Sequence, residues 1–195
     1  NVHVDLKGNV SSLIYQHVHS IRFSMNESNK AGSVSLATHK TSRKTEPPHS
    51  AGPPLTSIEL MADWLNDVVE TLGVDNISIV AHSQGCLVAL EFASRYQGEL
   101  KSMSLVASGL ATPVNPALID AAENNPETAM AMMLEWGFGS PGHLRKGPIS
   151  DNSMVAKAQQ VMRGNVPVAL ATDLRACDNY QHGKHAAAVI TCPTQ

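Results

Sequence analysis

The stretch that decides the fold of this chain is Ile77-Ser78-Ile79-Val80-Ala81-His82-Ser83-Gln84-Gly85-Cys86. Its apolar, β-branched beginning predicts a short strand. The mostly apolar residues that follow predict a buried helix over 85–97, ended by Gly98. Ser83 therefore stands at a sharp turn between a strand and a helix. Ala81 and Gly85, two residues before and after it, are small enough to let the two elements approach closely.

A serine at such a turn fits nucleophilic catalysis. The serine hydroxyl is a weak nucleophile at neutral pH, so it must be exposed beside backbone N–H groups and within reach of a base. The pattern here is A-x-S-x-G, with Ala81 where the usual G-x-S-x-G pattern has its first glycine. The sequence thus indicates Ser83 as a candidate nucleophile.

Regular elements are predicted on both sides of this turn. Thr56-Ser57-Ile58-Glu59 has the pattern of a capping box, and the apolar stripe after it predicts a helix over 57–72, ended by Gly73. The apolar run 100–107 predicts another strand. The order helix, strand, turn, helix, strand is typical of a parallel sheet with helices on its faces. The predicted fold class is α/β.

Over residues 50–195 the chain resembles the α/β-hydrolase superfamily. The resemblance implies that Ser83 is the nucleophile and that the backbone N–H of Gln84 forms one half of the oxyanion hole. It also implies a partial fold, with a parallel sheet, flanking helices and an inserted helical cap. The matching elements are helix 57–72, strand 76–81, helix 85–97 and strand 100–107.

The segment that fits the cap follows the second strand. Asn115-Pro116 and Asn125-Pro126 each combine a good N-cap with proline at the first helical position, which predicts helices over 116–124 and 126–136. Two more helices are predicted, over 153–163 and from Pro167 onward. The Gly/Pro-rich loop 137–150 between them is predicted to be a flexible rim.

Five of the eight methionines fall in this segment, and two interpretations stay open for them. Thioether side chains adapt their shape, so they could line a pocket for an apolar acyl or alkyl group. Packing of helices against the sheet is the favoured interpretation. The five are Met130, Met132, Met133, Met154 and Met162.

A serine hydrolase of this kind also needs an acid and a histidine, in the order Ser, Asp/Glu, His. Residues 186–195 resemble the beginning of the next core strand, after which the family has its acid, so both partners are expected to be absent from this sequence. His82 is predicted to lie behind the turn, because adjacent side chains in a tight turn point apart. The remaining polar residues are predicted to be solvated at a helix end rather than to form a triad; they are Asp173, Asp178, His182 and His185.

The N-terminal segment lacks the strands and the His-Gly loop that the resemblance implies. One interpretation is a divergent or disordered extension. The favoured one is a segment that is not native to the fold, produced by a frame shift or a misjoined gene. The predicted organisation is an atypical segment 1–45, a core 46–111 with the turn, a cap 112–185, and the truncated start of a strand over 186–195.

Composition narrows the class of protein. Fourteen Lys and Arg residues against 17 Asp and Glu residues leave a net charge of -3, with no basic stripe for nucleic acid. No apolar run has membrane-spanning length and no signal peptide is evident, so a cytoplasmic location is expected. Cys86, Cys177 and Cys192 form no C-x-x-C pair, and His182 and His185, spaced i, i+3, have no third ligand of suitable spacing, so neither a metal nor a cofactor is predicted.

The leading hypothesis is a serine hydrolase that in its intact form acts on a carboxylic ester or a related acyl bond of a small apolar substrate, this chain being nearly inactive. Thioester, amide and other chemistries of the family stay open. The alternative is a noncatalytic binding or interaction module derived from a hydrolase. A third interpretation is a half-domain that folds only on a partner strand. The sequence leaves the oligomeric state open.

Overall fold

A computed structural model describes three N-terminal strands and residues 53–73, 76–107, 109–138, 154–164 and 167–195. The strands are β1 (Val2–Lys7), β2 (Ser20–Met25), β3 (Gly32–Ala37), β4 (Ile77–His82) and β5 (Leu100–Val106). The helices are α1 (Ile58–Leu72), α2 (Gln84–Arg95), α3 (Pro116–Asn124), α4 (Pro126–Phe138), α5 (Met154–Arg163), α6 (Pro167–Asn179) and α7 (Gly183–Val189). A single 3₁₀ turn, Gln97–Glu99, connects α2 to β5.

The five strands form one sheet in the order β2-β3-β1-β4-β5. The predicted parallel pair is present: β4 and β5 run parallel, with Ile79 opposite Met103 and Ala81 opposite Leu105. Strand β1 is antiparallel to both β3 and β4. Part of the segment 1–45 is therefore extended and paired with the sheet, while its origin stays a prediction.

The main core lies between the sheet and helices α1, α2 and α7. Alternate residues of β4 are buried, namely Ile77, Ile79 and Ala81, while Val80 points to the other face and is exposed. This period of two is what a strand with one covered face requires. Large side chains from the two helices complete the core, among them Ile58, Leu65, Leu87 and Phe92.

The predicted end of α1 is confirmed, but its predicted start is off by one residue, and the predicted end of α2 differs. The pattern Thr56-x-x-Glu59 predicts Thr56 as the N-cap, whereas Ser57 has that role and accepts a hydrogen bond from Leu60 N. Ser57 caps α1, and Gly73 ends it with a left-handed φ of 58°. Helix α2 stops at Arg95 rather than near Gly98, because Tyr96 leaves helical geometry at a φ of -123°. The helices predicted after β5 are all present within a residue or two of their predicted ends.

Helices α3 to α6 form a second apolar cluster of their own. Its buried members are Leu118, Ala122, Ala129, Met130, Leu170 and Ala171. Met130 is inside this cluster, and Met132, Met133 and Met162 pack against it, so these methionines pack as predicted, but the sheet as their predicted neighbour is wrong: their neighbours are other helices. The side chain of Met154 and the loop residues 139–150 lie outside the described residues. Helix α6 joins the two clusters, because Ala176 and Cys177 near its end belong to the main core.

The last residues return to the sheet. Helix α7 continues to Val189, so the strand predicted over 186–195 is wrong in its extent and is reduced to a single parallel bridge between Thr194 and Met103 of β5. Met103 donates to the Pro193 carbonyl at 2.9 Å, and Leu105 donates to the Gln195 carbonyl at 2.8 Å. Helices long and apolar enough to cross a membrane are absent from the described part of the chain.

Candidate functional site

Ser83 occupies a strained turn between β4 and α2. Its backbone has φ 55° and ψ -127°, a conformation that L-residues rarely adopt and that costs about 1–3 kcal/mol. Two hydrogen bonds hold it there: its N–H donates to the Val106 carbonyl at 3.1 Å, and its own carbonyl accepts from Cys86 N at 2.8 Å. The side chain is exposed at the end of the strand. The sharp strand-turn-helix that the sequence predicts is therefore present.

Small residues allow the close approach of strand, turn and helix. Ala81 and Gly85 are both buried, as their positions around Ser83 require. Cys86 is fully buried, and its thiol lies 3.4 Å from the Val106 carbonyl. Cys86 is thus a small buried packing residue of α2.

Gln84 is the first residue of α2, directly after Ser83. The N–H groups of the first helical turn have no carbonyl partner within the helix, and the helix dipole adds positive potential there. This is the electrostatic environment that an oxyanion needs. The Gln84 side chain, in contrast to the turn, is buried. It is only 5% exposed, and its Nε2 donates to the Asp173 carbonyl of α6 at 3.0 Å.

The acids and histidines at the end of the helical segment have other partners. Asp178 Oδ1 accepts from Val114 N at 2.9 Å, and His182 Nδ1 lies 3.3 Å from Glu59 Oε1. His182 and His185 are exposed near the start of α7. Asp173 is 3% exposed in the middle of α6, so the prediction that it is solvated at a helix end is wrong, because α6 packs between the two apolar clusters. Among the described residues no hydrogen bond joins any of these side chains to Ser83 Oγ.

The sequence predicts that His82 packs or hydrogen-bonds behind the turn. Its side chain is exposed at the end of β4, so the predicted packing is wrong, while the hydrogen bond stays a prediction. Partial desolvation of the imidazole still lowers its pKa below the usual value. His82 is exposed because side chains alternate along a strand: Ala81 lies on the buried face of β4, so His82 lies on the open face.

The structure contains a buried polar cluster on α2 that was not predicted from the sequence. Glu91 is 6% exposed; it accepts from Tyr180 Oη at 2.8 Å and forms an ion pair with Arg95, whose Nε lies 3.1 Å from Glu91 Oε1. Tyr180 is 2% exposed, and burial and then the bond to Glu91 raise its pKa. A glutamate inside the apolar run 86–93 is the signal that could have revealed this cluster, because carboxylates are rarely buried without partners.

The same cluster continues toward α1. Arg95 Nη1 donates to Asp63 Oδ1 at 2.6 Å, and Tyr96 Oη donates to the same oxygen at 2.6 Å. Arg95 also donates to the Glu59 carbonyl at 2.8 Å. Helices α1 and α2 and the segment after α6 are thereby connected through one set of charged and hydroxyl groups.

A cavity of about 370 Å³ opens on the helical segment. Arg175 donates a short hydrogen bond to Glu123 beside it. The lining comes from α3, α4 and α6 and includes none of the residues of the turn: Ala122, Glu123, Pro126, Val168, Ala171, Thr172 and Arg175. This cavity is not an extension of the candidate site. Within the described part of the chain, no group of three or more His, Cys, Asp or Glu side chains could hold a metal ion.

Comparison with known families gives one match. The α/β-hydrolase fold family matches residues 39–138, which contain β4, the Ser83 turn, α2 and β5. No curated protein matches the chain.

Solved structures with a similar fold include three hydrolases. An esterase from Exiguobacterium antarcticum has a TM-score of 0.67 at 13% identity, over 94% of this chain and 79% of its own. An enol-lactonase from Burkholderia xenovorans has a TM-score of 0.61 at 14% identity, over 74% of this chain and 55% of its own. A thermophilic esterase has a TM-score of 0.57 at 23% identity, over 84% of this chain and 59% of its own.

At these identities the likeness is one of fold. The chain spans 59% of the length of the thermophilic esterase and 55% of that of the enol-lactonase.

Proposed function

This chain belongs to the α/β-hydrolase fold family, and from that premise we propose that it carries the nucleophile of a serine hydrolase acting on a carboxylic ester or a related acyl bond. The substrate would be a small apolar acyl compound. The observation that carries the proposal is the backbone of Ser83, which is held at φ 55° with its side chain exposed at a helix N-terminus. A cytoplasmic site of action is part of the proposal and rests on the sequence.

The chemistry proposed for this turn is acyl transfer. Ser83 Oγ attacks the carbonyl carbon, its proton passes to a base, and the carbonyl oxygen becomes an oxyanion. The backbone N–H of Gln84 donates to that oxyanion, and the alcohol leaves when the tetrahedral intermediate collapses. Water then repeats the sequence on the acyl-enzyme and releases the acid. The strained turn keeps the hydroxyl and this N–H on the same corner of the backbone.

The base is the part of this scheme that the described residues do not supply. None of their hydrogen bonds involves Ser83 Oγ, and an unassisted serine hydroxyl is a weak nucleophile. We therefore expect this chain to hydrolyse esters slowly. The same observation favours a second candidate, a noncatalytic binding module that keeps the turn for structural reasons.

The two candidates can be separated by giving residue 83 a nucleophile that needs less help from a base. In the variant Ser83→Cys, the thiolate attacks the carbonyl of p-nitrophenyl butyrate, p-nitrophenolate leaves, and the butyryl group stays on sulfur as a thioester. The matched control is Ser57→Cys, because Ser57 also precedes a helix and so has the same dipole, with an ordinary φ of -146°. Wild-type protein reports the background from Cys86, Cys177 and Cys192.

The measured quantity is the acylation rate divided by the rate of alkylation by iodoacetamide. Alkylation depends on the thiolate and its accessibility but develops no oxyanion, so the ratio isolates oxyanion stabilisation. We expect the ratio for S83C to exceed that for S57C by at least about tenfold, because one oxyanion donor contributes on the order of 10²–10³ in rate. Equal ratios would reject the hydrolase proposal and leave the binding module as the better account.

A further inference from the structure

We infer that the side chain of Gln84 is a positioning residue, which orients the oxyanion-binding N–H of its own backbone by anchoring the start of α2 to α6. The inference rests on the proposed function. It assigns to the glutamine side chain a role separate from that of the backbone N–H.

The anchor is a buried hydrogen bond to a rigid acceptor. Gln84 Nε2 donates at 3.0 Å to the Asp173 carbonyl, which lies in the interior of α6 (Pro167–Asn179). A backbone carbonyl inside a helix cannot rotate as a side chain can, so the bond fixes where Gln84 stands. The glutamine side chain is 5% exposed, and at such burial the loss of its hydrogen bond would not be replaced by water.

Helix α6 is in turn held to α2 at a second point. Tyr180 Oη donates to Glu91 Oε2 at 2.8 Å, and both side chains are buried. The two bonds join residues with the same separation of 89 positions along the chain. Glu91 follows Gln84, and Tyr180 follows Asp173, by about two helical turns. A displacement of α6 and the residue after it relative to α2 would break both bonds.

The position of Gln84 explains why such an anchor matters. The peptide between Ser83 and Gln84 carries the proposed oxyanion donor, and Ser83 on its other side is held in a strained conformation. Strain of this kind persists only where the surrounding structure over-determines it. The hydrogen bonds of Ser83 N and O fix one side of this peptide, and the Gln84 side chain fixes the other.

The test uses Gln84→Met in the Ser83→Cys chain, since methionine keeps the length and apolar volume of glutamine but cannot donate. We expect the acylation rate with p-nitrophenyl butyrate to fall about tenfold, a fraction of what a complete oxyanion donor contributes. Alkylation by iodoacetamide should change less than about twofold, because that reaction needs no oxyanion donor.

The matched control is Gln97→Met in the same chain. Gln97 Nε2 also donates to a backbone carbonyl, that of Val189, at 2.9 Å, and it lies beyond the far end of α2. Its loss should leave both rates unchanged. A second variant, Tyr180→Phe, releases the other anchor of α6 without touching residue 84 and should lower acylation by a smaller factor, again with alkylation preserved.

The outcomes separate the two levels of the argument. Selective loss of acylation in Gln84→Met and Tyr180→Phe, with Gln97→Met silent, supports the positioning role. A parallel fall of acylation and alkylation would reduce Gln84 to a structural residue, and unchanged acylation would remove its role altogether; either result overturns the inference. If S83C itself does not exceed S57C, the proposed function fails, and that result is obtained before Gln84 is changed.

Discussion

Ser57 and Ser83 occupy the same position in two neighbouring helices, and the structure uses them in opposite ways. Ser57 precedes α1 with an extended backbone, φ -146° and ψ 160°, and its Oγ accepts from Leu60 N at 3.3 Å. Ser83 precedes α2 with φ 55° and ψ -127°, and its side chain makes no capping hydrogen bond. Ser57 therefore caps its helix with its side chain, whereas the Ser83 hydroxyl does not cap α2.

The difference shows what replaces a cap at the start of α2. The start of helix α1 has a local cap, from Leu60 N to Ser57 Oγ, in addition to a tertiary bond from Arg95 to the Glu59 carbonyl. Helix α2 is secured by tertiary bonds to α6 and Tyr180, both between groups that are 89 residues apart. A turn that is unfavourable by itself is thus maintained by distant parts of the chain, as expected for backbone strain at a functional site.

The largest expected effect comes from breaking the tertiary support of α2. Tyr180→Phe removes the hydroxyl that donates to buried Glu91. Because a buried carboxylate then lacks a donor, we expect the free energy of unfolding to fall by about 1–3 kcal/mol in urea titrations. Tyr96→Phe is the matched control: its hydroxyl donates to the partly exposed Asp63, where water can substitute, so its cost should be well below that of Tyr180→Phe. Equal costs would contradict the distinction.

Substitution by glycine tests the backbone strain at Ser83, and the same substitution at Ser57, whose backbone is extended, is the control. Glycine adopts a φ of 55° without steric cost, so Ser83→Gly should raise the free energy of unfolding by about 1 kcal/mol, after the entropy of glycine is counted. Ser57→Gly should instead lower it by a few tenths, about 0.3 kcal/mol. The two variants are compared by thermal and urea unfolding. A loss of stability in Ser83→Gly would show that the turn is not strained.

The capping role of Ser57 has its own test. Ser57→Ala removes the side-chain acceptor for Leu60 N, and loss of such a cap typically costs about 1 kcal/mol of stability. Thr56→Ala, one residue earlier, is the control and should be close to neutral, because Thr56 is exposed and precedes the cap. If the two alanine variants unfold alike, Ser57 does not act as the N-cap.

The smallest expected effect is a pH dependence from His82, the neighbour of Ser83. Its pKa is lowered from the model-compound value of 6.5, chiefly by desolvation, so in acid the unfolded chain binds more protons than the folded one. The contribution of His82 to stability is therefore complete above about pH 6.5 and declines as pH falls. Unfolding at about pH 7.5 and about pH 5.5 should show a smaller acid loss in His82→Asn than in wild type. An identical loss would remove His82 from the pH dependence.

Much of the frame around Ser83 could be predicted from the sequence, because its signals are local. The Ser/Thr pair before α1, the β-branched run of β4, the small residues Ala81 and Gly85, and the Asn-Pro pairs before α3 and α4 each determine structure within a few residues. The predicted helices and the parallel pair of β4 and β5 follow from them, and the structure contains them.

The supports of the site could not be predicted, because they depend on tertiary contacts. Gln84 and Asp173, like Glu91 and Tyr180, are too far apart in sequence for any periodic pattern to relate them. The exposure of His82 could not be predicted either, because it depends on which face of β4 is covered in the assembled sheet. The strands within 1–45 show no strong alternation of apolar and polar residues. The antiparallel pairing of β1 with β4 therefore depends on the sheet around it more than on the residues of β1.

The central claim, that the turn at Ser83 is built for acyl transfer and the cap at Ser57 is not, is tested most directly by a single ratio. The acylation rate with p-nitrophenyl butyrate, divided by the alkylation rate with iodoacetamide, is measured for S83C and for S57C in otherwise identical chains. The account predicts a value for S83C at least about tenfold higher, the thioester being located at residue 83 by mass spectrometry. Equal values for the two positions would contradict it.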